Sequence, residues 1–149
     1  RELKRWRGER TAYENVEVSG DMSLPGIFGR TLDLILRLQA QDGPFTLKFA
    51  QDNSHFTAFT FQPDRSLLTL DRSHSGLPKG HALSRTIPVR SREGLLELRL
   101  ILDRFSVEAF VNGGEQTLSA TLYTPQEAAG ISFQAQGKAV IQLEQYALA

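Results

Sequence analysis

The sequence has no cysteine, and only one methionine and one tryptophan, in 149 residues. Without thiols there is neither a disulfide scaffold nor a thiolate zinc site. The chain also has no surplus of either charge: Lys plus Arg and Asp plus Glu number 17 each, so the net charge is zero. Such a balance gives no electrostatic case for nucleic acid or for an anionic membrane surface. No apolar run approaches the roughly 20 residues that cross a bilayer as a helix, and no secretory signal pattern opens the sequence. Asn15, Asn53 and Asn112 all lack a hydroxyl residue two positions on, so there is no N-glycosylation acceptor. There is no Gly-rich phosphate loop, no nucleotide fingerprint, no internal repeat and no low-complexity tract.

What remains is a chain of ordinary single-domain size with 40% hydrophobic residues, enough to bury a core. The hydrophobic residues alternate. Leu32, Leu34, Leu36 and Leu38 fall on one side of a strand that carries Asp33, Ile35, Arg37 and Gln39 on the other. Phe45, Leu47 and Phe49 repeat the pattern, Phe56 to Phe61 is an aromatic and threonine-rich strand, Leu67 to Asp71 follows as another, and Phe45, Phe49, Phe56, Phe59, Phe61 and Phe133 read as core. Leu96, Leu98, Leu100 and Leu102 share a face, and so do Phe105, Val107, Ala109 and Val111. Period-2 alternation means that one face packs while the other meets water or a partner.

Turn signals separate these runs: Gln41–Pro44, Gln51–Ser54, Pro63–Ser66, Asp103-Arg104 and Asn112-Gly113-Gly114. Asn-Gly is the strongest short-range hairpin signal, because both turn residues tolerate positive φ. A long loop is expected from Arg72 to Arg85, and a short strand at Val16–Val18. Two further strands, Ile131–Ala135 and Lys138–Tyr146, are expected around a Gln136-Gly137 turn. Only Gln126–Ala129 suggests a helical turn. Ten or eleven short strands and no convincing helix predict an all-β fold, a two-sheet antiparallel β-sandwich.

Two patches carry a resemblance. The run Asp103-Arg-Phe-Ser-Val-Glu-Ala-Phe-Val-Asn-Gly-Gly-Glu115, and Leu68-Thr-Leu-Asp-Arg-Ser-His-Ser-Gly76 with Arg85 beyond it, resemble the C-terminal β-sandwich of glycoside hydrolase family 32. That family holds the invertases, sucrose-6-phosphate hydrolases and fructanases. Phe105 departs from the pattern, which usually places a small polar residue there. The resemblance implies the concanavalin A-like lectin, or jelly-roll, form of the sandwich. It divides the chain into an interdomain linker remnant, residues 1–10, and an accessory domain, residues 11–149.

It also implies a partner, the N-terminal five-bladed β-propeller that carries the chemistry. The propeller's acids lie in Asn-Asp-Pro, Arg-Asp-Pro and Glu-Cys segments. This chain has no Asp-Pro dipeptide and no cysteine. The expected role is therefore non-catalytic: stabilising a β-fructofuranosidase that hydrolyses the fructosyl bond of sucrose, sucrose 6-phosphate or fructans with retention. The rival is a free-standing fructan-binding module, and contacts with a fructose-containing sugar or with further copies of the chain stay open. No cofactor, metal, nucleic acid or membrane is expected. Missing cysteines and missing glycosylation acceptors point to a bacterial cytoplasm.

Five residues are candidates for interdomain or sugar contacts. Trp6, flanked by Arg5 and Arg7, has the aromatic face that stacks on sugars, although packing at the domain junction is preferred. Arg72, Lys79, His81 and Arg85 give the long loop a positive lean, and Arg forks suit phosphate or carboxylate. Of these, Arg72 and Arg85 are retained, together with His74. Asp71, His74 and His81 have no recognised metal spacing and read as loop residues. Asp103 and Glu108 are the first acid pair to weigh, because two acids across a tight hairpin can reach either glycosidase spacing. Here Asp103 reads as a turn residue, and Glu108 as a polar-face residue that pairs across strands.

Overall fold

The computed structural model describes residues 7–40, 43–72, 84–90, 95–122 and 127–148. Within them the chain forms ten strands and no helix: β1 (Arg7–Met22), β2 (Leu32–Ala40), β3 (Phe45–Gln51), β4 (Thr57–Gln62), β5 (Leu67–Asp71), β6 (Ser84–Pro88), β7 (Leu95–Asp103), β8 (Ser106–Val111), β9 (Gln116–Thr121) and β10 (Gly130–Leu148). They follow the order β6-β5-β4-β3-β10-β2-β7-β8-β9, with β1 also paired to β10. Every pairing is antiparallel.

The continuous sheet doubles over at β10 into a β-sandwich. The first half of β10, Gly130 to Ala135, pairs with β3. Its second half, Ala139 to Ala147, pairs with β2. One layer is therefore β6-β5-β4-β3 with early β10, and the other is late β10 with β2-β7-β8-β9. Leu36, Leu38, Leu96 and Leu98 of one layer meet Phe45, Phe59 and Phe61 of the other around a narrow internal gap. The alternation explains this. Leu32, Leu34, Leu36, Leu38, Leu100, Leu102, Val107, Ala109 and Val111 are all buried. Burying each large apolar side chain contributes about 1.5–3 kcal/mol.

Two strands differ from the sequence expectation. Where two strands around a Gln136-Gly137 turn were expected, β10 runs unbroken. Here the strand leaves one layer for the other, and β1 accompanies it on both sides of the crossing. A strand with partners on both sides does not need to turn. Similarly, β1 reaches from Arg7 to Met22 rather than Val16–Val18 alone. Its register against β10 slips between Arg7 and Arg10, between Tyr13 and Val16, and between Val18 and Gly20. The first two each add one residue to β1 and flip its alternation, which hides the period-2 signal, whereas the third adds two residues to β10. Asn15 and Gly20 adopt positive φ, 52° and 66°, at two of them. Residues 7–10 of the expected linker thus lie in a paired strand.

Smaller differences follow from turn geometry. Phe105 lies in the Arg104-Phe105 turn between β7 and β8 and is exposed, so it does not extend the buried face of Val107, Ala109 and Val111. Phe56, expected in the core, is half-buried under Lys48, whose Nζ sits 4.7 Å from the ring centre. Arg85 belongs to β6 rather than to a loop. Of the expected helical turn, Glu127 lies in a turn, Ala128 and Ala129 are irregular, and Gln126 is outside the described residues.

The β8–β9 loop is Asn112–Glu115, longer than a two-residue hairpin, because Val111 pairs with Gln116. Asn112, Gly113 and Gly114 all have positive φ, at 50°, 75° and 98°. Nothing lies within 4 Å of a Cβ built on Gly113. Gly113→Val is therefore expected to cost about 1–3 kcal/mol through backbone strain alone. Urea midpoints measure this, and a midpoint equal to that of the parent would show that the loop can relax.

Candidate functional site

The outward face of the β10-β2-β7-β8-β9 layer carries the pairs Asp33–Arg99, Arg37–Glu97 and Arg10–Glu144. Alternation puts Asp33, Ile35 and Arg37 on the opposite side of β2 from its leucines. Register aligns Asp33 with Ile101, Ile35 with Arg99, and Arg37 with Glu97. Arg99 grips Asp33 with two parallel hydrogen bonds, Nε to Oδ1 at 2.9 Å and Nη2 to Oδ2 at 2.7 Å. The Asp33 side chain is fully buried and that of Arg99 is 31% exposed. Hydrogen bonding to this carboxylate raises the Arg99 pKa further above its ordinary value.

More exposed pairs flank this one. Arg37 Nε donates to Glu97 Oε2 at 3.1 Å, and Arg10 Nη2 to Glu144 Oε1 at 3.0 Å. Tyr146 joins the second pair, accepting from Arg10 Nε at 3.3 Å and donating to Glu144 Oε2 at 3.2 Å. The Arg10 hydrogen bond holds the Glu144 carboxyl below its usual range. Arg37, Glu97 and Arg99 line a shallow hollow with Ile35 and Phe110. These charges satisfy one another and tie neighbouring strands together across the face. The sequence reading missed the Asp33–Arg99 pair, although one acid among four leucines was its signal.

A second hollow, at the end of the layer, gathers Thr31, Ile101, Asp103, Ser106, Glu108 and Leu148. It brings together the acid pair of the sequence reading. Asp103 Oδ1 accepts from the Arg104 backbone N–H at 2.7 Å, as a turn aspartate does. Glu108 is exposed on β8 between Ile101 and Ser119. A glycosidase site encloses its sugar in a cleft, whereas these two carboxyl groups stand exposed on a shallow surface.

Arg72 and Arg85 are neighbours: Arg72 follows β5 directly, and Arg85 pairs with Leu70. Arg72 Nη1 donates to the Thr121 carbonyl at 3.1 Å, across the gap between the two layers. Gln116 Nε2 makes the matching bond to the Pro88 carbonyl at 2.5 Å, and Asn112 Nδ2 reaches the Arg90 carbonyl. These side chains close the open side of the sandwich, where β6 and β9 are the outermost strands. Arg72 thus bonds within the domain, and Arg85 is exposed beside it. Trp6, His74, Lys79 and His81 lie outside the described residues. Asp71 sits in β5, paired with Ala58 and Ser84. Among the described residues there is no cluster of three or more His, Cys, Asp or Glu side chains suited to a metal, and no helix long and apolar enough to cross a membrane.

Comparison with known proteins identifies the architecture. The family model "Glycosyl hydrolases family 32 C terminal" matches residues 2–147. A probable sucrose-6-phosphate hydrolase of Vibrio cholerae serotype O1 is 30% identical over 86 residues, covering 58% of this chain and 15% of the relative. The levanase of Bacillus subtilis is 26% identical over 144 residues, covering 91% of this chain and 21% of the levanase. Among solved structures, the sucrose-6-phosphate hydrolase of Lactobacillus gasseri superposes with a TM-score of 0.81. That match has 20% identity and covers 99% of this chain and 30% of the enzyme, a likeness of fold. The chain therefore spans between about a seventh and a third of the proteins it matches. By the family match over nearly its whole length, the chain belongs to glycosyl hydrolase family 32, as a C-terminal domain.

Proposed function

We propose that the chain is the non-catalytic sandwich of a β-fructofuranosidase, acting on sucrose, sucrose 6-phosphate or a fructan, and that it stabilises a catalytic β-propeller that precedes it. The observation that carries this reading is the family match over residues 2–147, set against relatives of which the chain covers only a fraction. Residues 1–10 would be the approach from the preceding domain, of which 7–10 already run in β1. The side-chain chemistry supports the reading. Charged side chains bond strands to one another, as Arg99 does to Asp33, and Arg72 bonds across the layers. A cytoplasmic location belongs to the same proposal and rests on the cysteine-free composition.

The chain alone is expected to release no glucose or fructose from sucrose, sucrose 6-phosphate or levan. Reducing-sugar release over hours, beside a protein-free control, measures this. Turnover that disappears in Glu108→Gln would overturn the accessory role. Retention of the chain on immobilised levan would instead favour a sugar-binding module.

A further inference from the structure

Three large apolar side chains stand exposed among the described residues: Phe28 at 62%, Phe105 at 56% and Leu95 at 50%. Two of them share one end of the sandwich. Phe28 forms an isolated bridge with Gly130, and the Gly29 N–H donates to the Ala129 carbonyl at 2.8 Å. Arg30, almost fully buried, donates through Nη1 to the Ala128 carbonyl at 3.2 Å and through Nη2 to the Arg104 carbonyl, next to Phe105. The Leu122 N–H donates to the Phe105 carbonyl at 2.6 Å. One buried guanidinium thus ties the loop that displays Phe28 to the turn that displays Phe105. Leu95 lies at the other end of β7 from Asp103, roughly 26 Å away at ~3.3 Å per residue.

The path of the chain reaches the same end. Arg7 pairs with Leu148, and the Leu148 N–H donates to the Thr31 carbonyl at 3.1 Å. Leu148 and Thr31 border the hollow that holds Asp103, Ser106 and Glu108. The backbone at residue 7 therefore lies at the end that carries Phe28 and Phe105. Large aromatics fixed in place, a polar rim and arginine nearby form the composition that interfaces favour. Exposed apolar side chains grouped at one end of a domain mark a contact surface.

We infer that this end, with Phe28 and Phe105 at its centre and Asp103 and Glu108 on its rim, is the surface on which the preceding catalytic domain docks. The inference rests on the accessory-domain reading and adds to it the face that is used. The facing surface must offer an apolar patch for the two rings, with hydrogen-bond donors or cations for the two carboxylates. The short path from β1 to this end also lets a brief linker hold the two domains at high effective concentration.

Hydroxyl-radical footprinting of the full-length protein, read by peptide mass spectrometry, tests this. After correction for intrinsic reactivity, Phe28 and Phe105 should be oxidised roughly five-fold or more slowly than Leu95, as interface-core residues are. If a catalytic domain precedes the chain and the three residues react alike, the docking face is wrong and the accessory-domain reading stands. If the full-length protein has no preceding catalytic domain, both fail. Protection that disappears on dilution, as light scattering shows a dimer dissociating, would assign the face to a second copy and overturn the inference. As an independent measure, Phe28→Asp with Phe105→Asp should hasten thermal inactivation of the full-length enzyme, and Leu95→Asp should not. Equal inactivation rates in the two variants would refute the docking face.

Discussion

Replacing Arg99 with alanine is expected to lower the unfolding free energy by about 3–5 kcal/mol, the cost of removing one partner from a buried ion pair. Asp33 is fully buried, and two hydrogen bonds of 2.9 and 2.7 Å tie it to Arg99. Its carboxylate gave up water for that guanidinium. With Arg99 truncated, the charge loses its closest compensation. The neighbouring Arg37–Glu97 pair makes a single bond of 3.1 Å between exposed side chains, so Arg37→Ala should cost below about 1 kcal/mol. Equilibrium urea unfolding of both variants decides the matter. If Arg99→Ala and Arg37→Ala shift the midpoint equally, burial is not what gives the Asp33–Arg99 pair its weight. Replacing both residues together, Asp33→Leu with Arg99→Met, should recover much of the loss. A buried pair often does little better than apolar residues of similar volume.

Phe133→Ala is expected to cost about 3–5 kcal/mol, the range for deleting a buried aromatic ring. Phe133 is fully buried and its ring centre lies 6.3 Å from that of Phe45. It also lies on the early half of β10, between Met22 of β1 and Leu47 of β3. That segment joins the two layers, and surrounding strands held by pairing on both sides cannot close around the void. Phe105→Ala is the control, since its exposed ring in a turn should matter by less than about 0.5 kcal/mol to the sandwich itself. Similar urea midpoints for Phe133→Ala and Phe105→Ala would show that the early half of β10 is not packed between the layers as described.

The two variants separate the parts of the molecule. Arg99→Ala tests the outward, charged face of one layer, and Phe133→Ala tests the hinge of the whole sandwich. Neither residue lies at the end carrying Phe28 and Phe105, so their cost should appear in the sandwich whether or not another domain docks there.

Alternation within single strands was legible in the sequence. Leu32 to Leu38, Leu96 to Leu102 and Val107 to Val111 set their buried faces by period 2, and that property needs no knowledge of the partner strand. That turns occur near Asp103-Arg104 and Asn112-Gly113 was legible too, because turn residues act through their own backbone, although the first turn falls one residue later, at Arg104-Phe105. These segments already specify an all-β sandwich, and the motifs at Leu68–Gly76 and Asp103–Glu115 resemble its family. Tertiary structure alone decided which strands meet. Bulges erased the alternation of β1, and a strand crossing between layers through Gln136-Gly137 looks locally like a turn. Asp33 finds Arg99 sixty-six positions away, and Arg72 finds the Thr121 carbonyl forty-nine away. Phe28 and Phe105 share one end, where Arg30 bonds the Arg104 carbonyl. Side-chain direction is fixed by neighbouring residues, but partners are fixed by register and chain closure, which depend on the whole sheet.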